Sequence, residues 1–316
     1  MKQVLIFILM LAGLFLSCKK TESNNLSTKI LNSDSVISVS GDKKQATKYA
    51  VAKYFTPVLN TSDFESVYGG KDGKTLKREK SGLIKSLEYT AYPGTVFTIL
   101  EEYSHGDYSI YKVYVKEYDI PELNIDLYID SRFVNIYDEK PAERKIEVPT
   151  EEQIYEYFDK SNGAIYIWGA NTINGVKEMI EFYPPKAGLS EKEKKEWSIE
   201  GLDCSGLLFE ATGGYTPRHT RQLVHFGEPV EVQGLSTKEI MNKIEPLDLI
   251  VWKGHVIIVY DKGHTIECSY SSGGVIMKDL KTVLNDLLSK RRIVNKWDDK
   301  GGKQFVIRRW KQNLTK

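Results

Sequence analysis

Cysteine is scarce in this chain, with 3 in 316 residues. That excludes a disulfide-stapled scaffold and leaves each thiol to be explained by itself. Histidine is scarce as well, 5 in all, and no group of Cys, His, Asp and Glu has metal-ligand spacing. There is no phosphate-binding glycine loop and no internal repeat, so the sequence calls for no metal and no cofactor. A net charge of +1 offers no basic surplus for nucleic acid. The one long apolar run, Val4 to Ser17, is too short to cross a membrane comfortably. The remainder is ordinary globular composition, 41% hydrophobic and 28% charged. The length suits about two domains. Nineteen tyrosines fit a β-rich architecture and contact with carbohydrate or peptide.

The stretch Gly201-Leu202-Asp203-Cys204-Ser205-Gly206-Leu207-Leu208-Phe209-Glu210-Ala211-Thr212-Gly213-Gly214 reads as a short helix with a cysteine in its first turn. Asp203 can cap the orphan N–H groups, Leu207, Leu208 and Ala211 supply an apolar face, and Gly213-Gly214 stops the helix. A thiol at a helix N-terminus meets the positive end of the dipole, which favours the thiolate and makes a nucleophile. A buried structural cysteine is the competing reading, and these residues alone do not separate the two.

A base stands downstream. Gly254-His255-Val256-Ile257-Ile258-Val259-Tyr260 reads as a buried strand with a histidine at its entrance. Asp261-Lys262-Gly263 makes a three-residue hairpin loop with glycine where a positive φ is wanted, and His264-Thr265-Ile266-Glu267-Cys268 returns as the partner strand. If the loop sets His255 opposite Ser269, Glu267 lies two residues along on the same face, within reach of the imidazole. Glu267 then orients His255 as the third member of a triad. His264 is a rival for that place, although it follows the turn and faces solvent.

Asp-Cys-Ser-Gly followed by His-Val at a strand entrance resembles the NlpC/P60 family of papain-like cysteine peptidases. Tyr166-Ile167-Trp168-Gly169 resembles the family's Tyr-x-Trp-Gly segment, Pro217-Arg218-His219-Thr220-Arg221-Gln222 its Pro-Arg-Thr-Ser segment, and Glu245-Pro246-Leu247-Asp248-Leu249 its Pro-Gly-Asp-Leu. The resemblance covers roughly the last half of the chain, and four motifs in order select the nucleophile reading of Cys204. It implies attack by Cys204, proton transfer by His255, and an oxyanion held in part by the Tyr166 hydroxyl. It further implies a peptidoglycan stem peptide or muropeptide as substrate, cut between γ-D-glutamate and the next diamino acid. Asp203 and Ser205 match positions that read a free N-terminal L-alanine, and Asp203 has helix capping as a competing role. Two departures stand out. The third catalytic position is most often His in the family and is Glu267 here, so a carboxylate should raise the His255 pKa further. An insertion, roughly 171–200, separates Tyr-x-Trp-Gly from the nucleophile. A wall-binding relative without activity and a cysteine amidase or acyltransferase are the alternatives.

The start of the chain, Met1-Lys2-Gln3 and then the apolar run, reads as a signal peptide. Its end, Phe15-Leu16-Ser17-Cys18, resembles a bacterial lipobox, which implies lipidation of Cys18 and anchoring to a membrane of the cell envelope, facing the periplasm. The expected organisation is a leader (1–18), a polar tether (19–34), a β domain (35–146) and a catalytic domain (147–316), acting as a monomer. Strand-length segments and turns at Tyr92-Pro93-Gly94 and His105-Gly106-Asp107 suggest a small barrel or sandwich, and the first domain loosely resembles a bacterial SH3-like domain with an enlarged loop at 117–126. Such a domain would wall off one side of the cleft. In the second half, Thr150/Gln153, Ser190/Glu193 and Ser236/Glu239 have capping-box spacing and strands follow, giving an α+β class. Cys268 reads as a small core residue, and His105, His219 and His225 as surface histidines.

Overall fold

The strand-length segments of the N-terminal half form a seven-stranded antiparallel sheet in the computed structural model, which describes residues 47–311 and 314. The leader with Cys18, the tether and residues 35–46 lie outside the described residues. In space the strands run Leu87–Ala91, Thr56–Leu59, Leu127–Asp130, Tyr108–Tyr114, Val96–His105, Tyr49–Ala52, Val134–Tyr137. Among the described residues no ladder joins the two ends of this path. Gly106, at φ 67°, turns the long hairpin that sets His105 opposite Tyr108. The 117–126 segment folds into two short turns, Lys116–Tyr118 and Pro121–Leu123, that lean toward the cleft described below.

In the C-terminal half, the helix Glu151–Lys160 starts on the Thr150/Gln153 capping box and buries Ile154 and Phe158. The helix Cys204–Ala211 packs beside it, and Gly213 and Gly214, at φ 57° and 83°, carry the chain out of it. The second sheet runs Glu228–Pro229, Gln304–Arg309, Leu249–Trp252, His255–Val259, His264–Ser269, Gly274–Asp279, all antiparallel, with Arg292–Ile293 parallel to Gln304–Arg309 beside that path. Alternate residues of these strands face opposite cores. Leu249, Val251, Val256 and Ile258 pack on the nucleophile helix side, while Ile250, Ile257, Val259 and Phe305 pack under the helices Thr237–Lys243 and Leu280–Lys290. Burial on both faces is why the strands read as unbroken apolar runs. The whole is a mixed α/β fold.

The insertion at 171–200 is no surface loop. Its Val176, Met179, Tyr183, Trp197 and Ile199 enter the same apolar core as Tyr89 and Phe133 of the first sheet. The helix Glu191–Trp197 keeps Glu191 to Lys194 exposed, as its charge run predicts, but buries Glu196 and Trp197 at its end. Trp197 Nε1 donates to the Tyr183 carbonyl at 2.8 Å, and Arg78 binds Glu196 at 2.5 Å. Asn171 bridges the halves: its side-chain amide donates to the Thr90 carbonyl and accepts from the Thr90 N–H, both at 2.9 Å. The described residues accordingly fall in one compact unit. Among them, no helix is long and apolar enough to cross a membrane.

Trp197 is 1% exposed and pins the insertion to the first sheet. Trp197→Ala should lower stability by ~3–5 kcal/mol in denaturant unfolding, the range for emptying a large aromatic site in a core. A loss below ~1 kcal/mol would show that the insertion is not part of the shared core.

Candidate active site

Cys204 opens its helix under an elaborate cap. Asp203 Oδ1 accepts from the Gly206 N–H at 2.6 Å, and Asp203 Oδ2 accepts from the Gly169 N–H at 3.0 Å. Gly206 must be glycine here, because an added Cβ would stand 2.1 Å from the Ala170 carbonyl oxygen. The Tyr166–Gly169 segment is thereby tied to the first turn of the nucleophile helix. Beneath it, Arg218 is 2% exposed and grips Asp203 with both arms, at 3.1 and 2.7 Å. Arg218 also donates to Ser205 Oγ at 2.8 Å and to Asn171 Oδ1 at 3.1 Å. A planar fork of donors suits a buried carboxylate in this way, and lysine could not replace it.

The hairpin brings the base in. Trp252 pairs with His255 across Lys253-Gly254, with Gly254 at φ 114°, and the Gly254 N–H donates to Thr220 Oγ1 at 2.9 Å. Ile258 lies opposite Ile266, a register that extends to the expected pairing of His255 with Ser269. The turn itself differs from expectation. Gly263 does not adopt positive φ; instead Asp261 Oδ1 accepts from the N–H groups of Gly263 and His264, 2.7 Å each. An aspartate closing its own turn does the work assigned to glycine. His264 stays exposed and bonds Asp261, away from His255.

His255 stands between Cys204 and Glu267. Nε2 meets Glu267 Oε2 at 2.5 Å, and Cys204 lies near enough to act on the charge of the ring. Burial alone would lower the His255 pKa, but Cys204 and Glu267 outweigh it and push it up to about 9. A raised pKa means these interactions stabilise the fold fully below the ordinary value of 6.5, and that stability is lost as pH rises through about 9. Glu267 is itself held by Lys278, whose Nζ meets Oε1 at 2.5 Å. Burial would raise the Glu267 pKa; the bonds from His255 and Lys278 overcome this and hold it below its ordinary value. Cys268, next in the strand, faces the core, and its Sγ donates to the Leu202 carbonyl at 3.2 Å.

The cleft over Cys204 has a volume of about 350 Å³. Tyr166, Trp168, Asp203, Ser205, Glu88 and Tyr118 are among its walls. Burial, with Asp203 and Cys204 nearby, pushes the Tyr166 pKa well up, so its hydroxyl stays a donor. The Cys204 N–H, at the first helical position, has no acceptor within its helix. These are two donors beside one sulfur. Asp203 and Ser205 line the cleft as expected, but the Asp203 oxygens are taken up by Arg218, Gly169 and Gly206. Three lining groups escaped the sequence reading. Glu88, from the first sheet, accepts from Asn60 at 2.6 Å and from the Tyr118 hydroxyl at 3.0 Å. Burial raises its pKa while those bonds pull the other way. Tyr118 comes from the enlarged loop, which was a visible signal, and Arg218 from the Pro-Arg segment. His219, expected at the surface, is half-buried in the cleft wall, edge-on to Tyr118. Burial and the neighbouring Arg218 lower its pKa to about 4, so it is neutral, and its Nδ1 accepts the Arg221 N–H as a helix cap. Among the described residues no cluster of three or more His, Cys, Asp or Glu could hold a metal ion.

No family model and no curated protein matches the chain. Solved structures that match include NlpC/P60 family proteins. One, an NlpC/P60 family protein from Bacillus cereus ATCC 10987, is 13% identical with a TM-score of 0.32 over 84% of this chain and 64% of its own. The peptidoglycan hydrolase RipB of Mycobacterium tuberculosis is 20% identical, TM-score 0.30, over 50% of this chain and 63% of its own. RipD of the same organism, described as a non-catalytic NlpC/p60 domain protein adapted to peptidoglycan binding, is 17% identical, TM-score 0.29, over 50% of this chain and 95% of its own. The chain thus spans just under two thirds of the first two structures.

Two outcomes follow from the site geometry. Arg218→Ala leaves a buried carboxylate unpaired and should cost ~3–5 kcal/mol in urea unfolding, with Arg218→Lys recovering only part. Removing the Glu267 charge lowers the His255 pKa, so in Glu267→Gln the imidazole should titrate at least ~1 pH unit lower by NMR. An unchanged titration would mean that Glu267 does not govern His255.

Proposed function

We propose that this chain is a cysteine endopeptidase of the NlpC/P60 type that hydrolyses peptidoglycan stem peptides at the γ-D-glutamyl–diamino acid bond. The observation that carries the reading is His255 held between Cys204, at the first turn of its helix, and Glu267. The Cys204 thiol gives its proton to His255 before the chemical step, and the resulting thiolate Sγ attacks the peptide carbonyl. The oxyanion forms beside the Cys204 N–H and the Tyr166 hydroxyl. His255 returns its proton to the leaving amine as the C–N bond breaks, leaving a thioester. Water then attacks, losing a proton to His255, and the C–S bond breaks to free the acid. Glu267 keeps His255 oriented and stabilises its charged form throughout.

A free N-terminal L-alanine is the proposed recognition element. Asp203 and Ser205 shape the floor of its site, and Glu88 is the cleft carboxylate with acceptor capacity left over. A half-buried carboxylate with no direct ion pair is stabilised by an incoming ammonium. The N-terminal sheet acts here as an SH3-like wall, and selection for a free amine makes the role peptide turnover. Lipidated Cys18 would anchor the protein to the cell envelope.

The test uses the chain from Lys19 onward, with Cys204→Ala beside it, against L-Ala-γ-D-Glu-diaminopimelate tripeptide and intact sacculi. Mass spectrometry should find L-Ala-γ-D-Glu released from the tripeptide only, and nothing from the variant. Cleavage of sacculi as well would keep the peptidase and discard the amine gate. Sacculus binding without cleavage of either substrate would replace the peptidase with a binding protein.

A further inference from the structure

Glu267 has two carboxylate oxygens and almost no water, since its side chain is 5% exposed. His255 satisfies one of them, Oε2, at 2.5 Å. A second oxygen left bare in such a place would work against the charge, because burial favours the neutral acid. Lys278 takes that oxygen: its Nζ meets Oε1 at 2.5 Å. The sheet register brings it there. Thr265 lies opposite Lys278 and Glu267 opposite Ile276, so Lys278 is the diagonal neighbour of Glu267 on the same face. The Lys278 side chain is 37% exposed, so its ammonium keeps part of its hydration.

Four elements thereby contribute to one row. Cys204 comes from the nucleophile helix, His255 and Glu267 from neighbouring strands, and Lys278 from the strand at the end of the sheet. Once the thiol has given its proton to the imidazole, the signs along the row are minus, plus, minus, plus. Without Lys278 the imidazolium would lie between two negative groups, the outer one with no cation behind it. Such an imidazolium holds its proton more tightly and is a poorer acid toward the leaving amine. The titratable groups on the flanks do not replace Lys278. Asp203 is bound by Arg218, His264 is turned to Asp261, and burial pushes the Cys268 thiol up so that it stays neutral.

We propose that Lys278 is a positioning residue: by holding Oε1 of Glu267 it fixes the carboxylate on His255 and limits its pull on the imidazole proton. The reaction it serves rests on the peptidase reading above; the charge row does not. Lys278 does not line the cleft over Cys204, so it acts through Glu267. A carboxylate at the third position thus comes with its own counterion on the next strand.

The experiment makes Lys278→Met, Lys278→Arg, Glu267→Gln and the double variant Lys278→Met with Glu267→Gln, each in the full chain in detergent. It reads the His255 titration by NMR, and kcat and KM against pH on L-Ala-γ-D-Glu-diaminopimelate. In Lys278→Met the imidazole should titrate ~0.5 pH unit or more higher, and the alkaline limb of kcat should move up with it. Near neutrality kcat should fall roughly three- to fivefold, the worth of a partly exposed ion pair, with KM little changed. Lys278→Arg should restore the titration and kcat. On the Glu267→Gln background, Lys278→Met should cost no further kcat, since no carboxylate is left to hold. An unmoved titration and alkaline limb in Lys278→Met, or an equal loss of kcat on both backgrounds, would reduce Lys278 to a structural ion pair and overturn the role. If the wild type leaves the tripeptide uncut, the peptidase reading falls, and the titration alone decides whether Lys278 governs His255.

Discussion

The Asp203–Arg218 pair is the contact on which the site depends. Both partners are buried, and such a pair survives only when every lone pair and proton has a partner. Here each one recruits a different piece of chain. Asp203 takes the N–H groups of Gly169 and Gly206, and Arg218 takes Ser205 and Asn171. Asn171 in turn holds the backbone of Thr90 in the first sheet. One ion pair therefore positions the nucleophile helix, the Tyr166–Gly169 wall and the first sheet together. The charge beside Cys204 is as much a keystone of the fold as part of the cleft.

The second charged unit, His255–Glu267–Lys278, works at the open side. Glu267 divides its oxygens, one to the imidazole and one to Lys278. The carboxylate thus raises the histidine while being restrained by a cation of its own. An imidazole in the Glu267 position could do neither so strongly. The net result is a histidine that keeps its proton well above neutrality, suited to donating it to an amine leaving group.

What the sequence made legible was local. Helix caps at Thr150, Ser190 and Ser236, the glycine stop after Ala211 and the His255 hairpin register all depend on residues within a turn or two. The cleft walls are a different matter. Glu88 and Tyr118 reach Cys204 from more than eighty residues away, and no spacing rule connects them. His219 was misjudged for the same reason: its surroundings, Tyr118 and Arg218, are assembled by the tertiary fold. Gly263 misled in a smaller way, because aspartate and glycine offer two routes around the same turn and Asp261 took it. The insertion showed its charged face in the sequence, while its buried anchors, Met179, Tyr183 and Trp197, are scattered too widely to read as one surface.

The order of the second sheet has a bearing on how the molecule is made. Gln304–Arg309 is late in the chain yet lies inside the sheet, between Glu228–Pro229 and Leu249–Trp252. On the ribosome, Cys204 and His255 both emerge before it. Until it arrives, Leu249, Ile250 and Val251 present a bare apolar edge, which is a site for wrong pairing. Completion of the sheet thus waits until residues 304–309 have been made, and a nascent chain carries its thiol and imidazole for some time before the scaffold that holds them is whole.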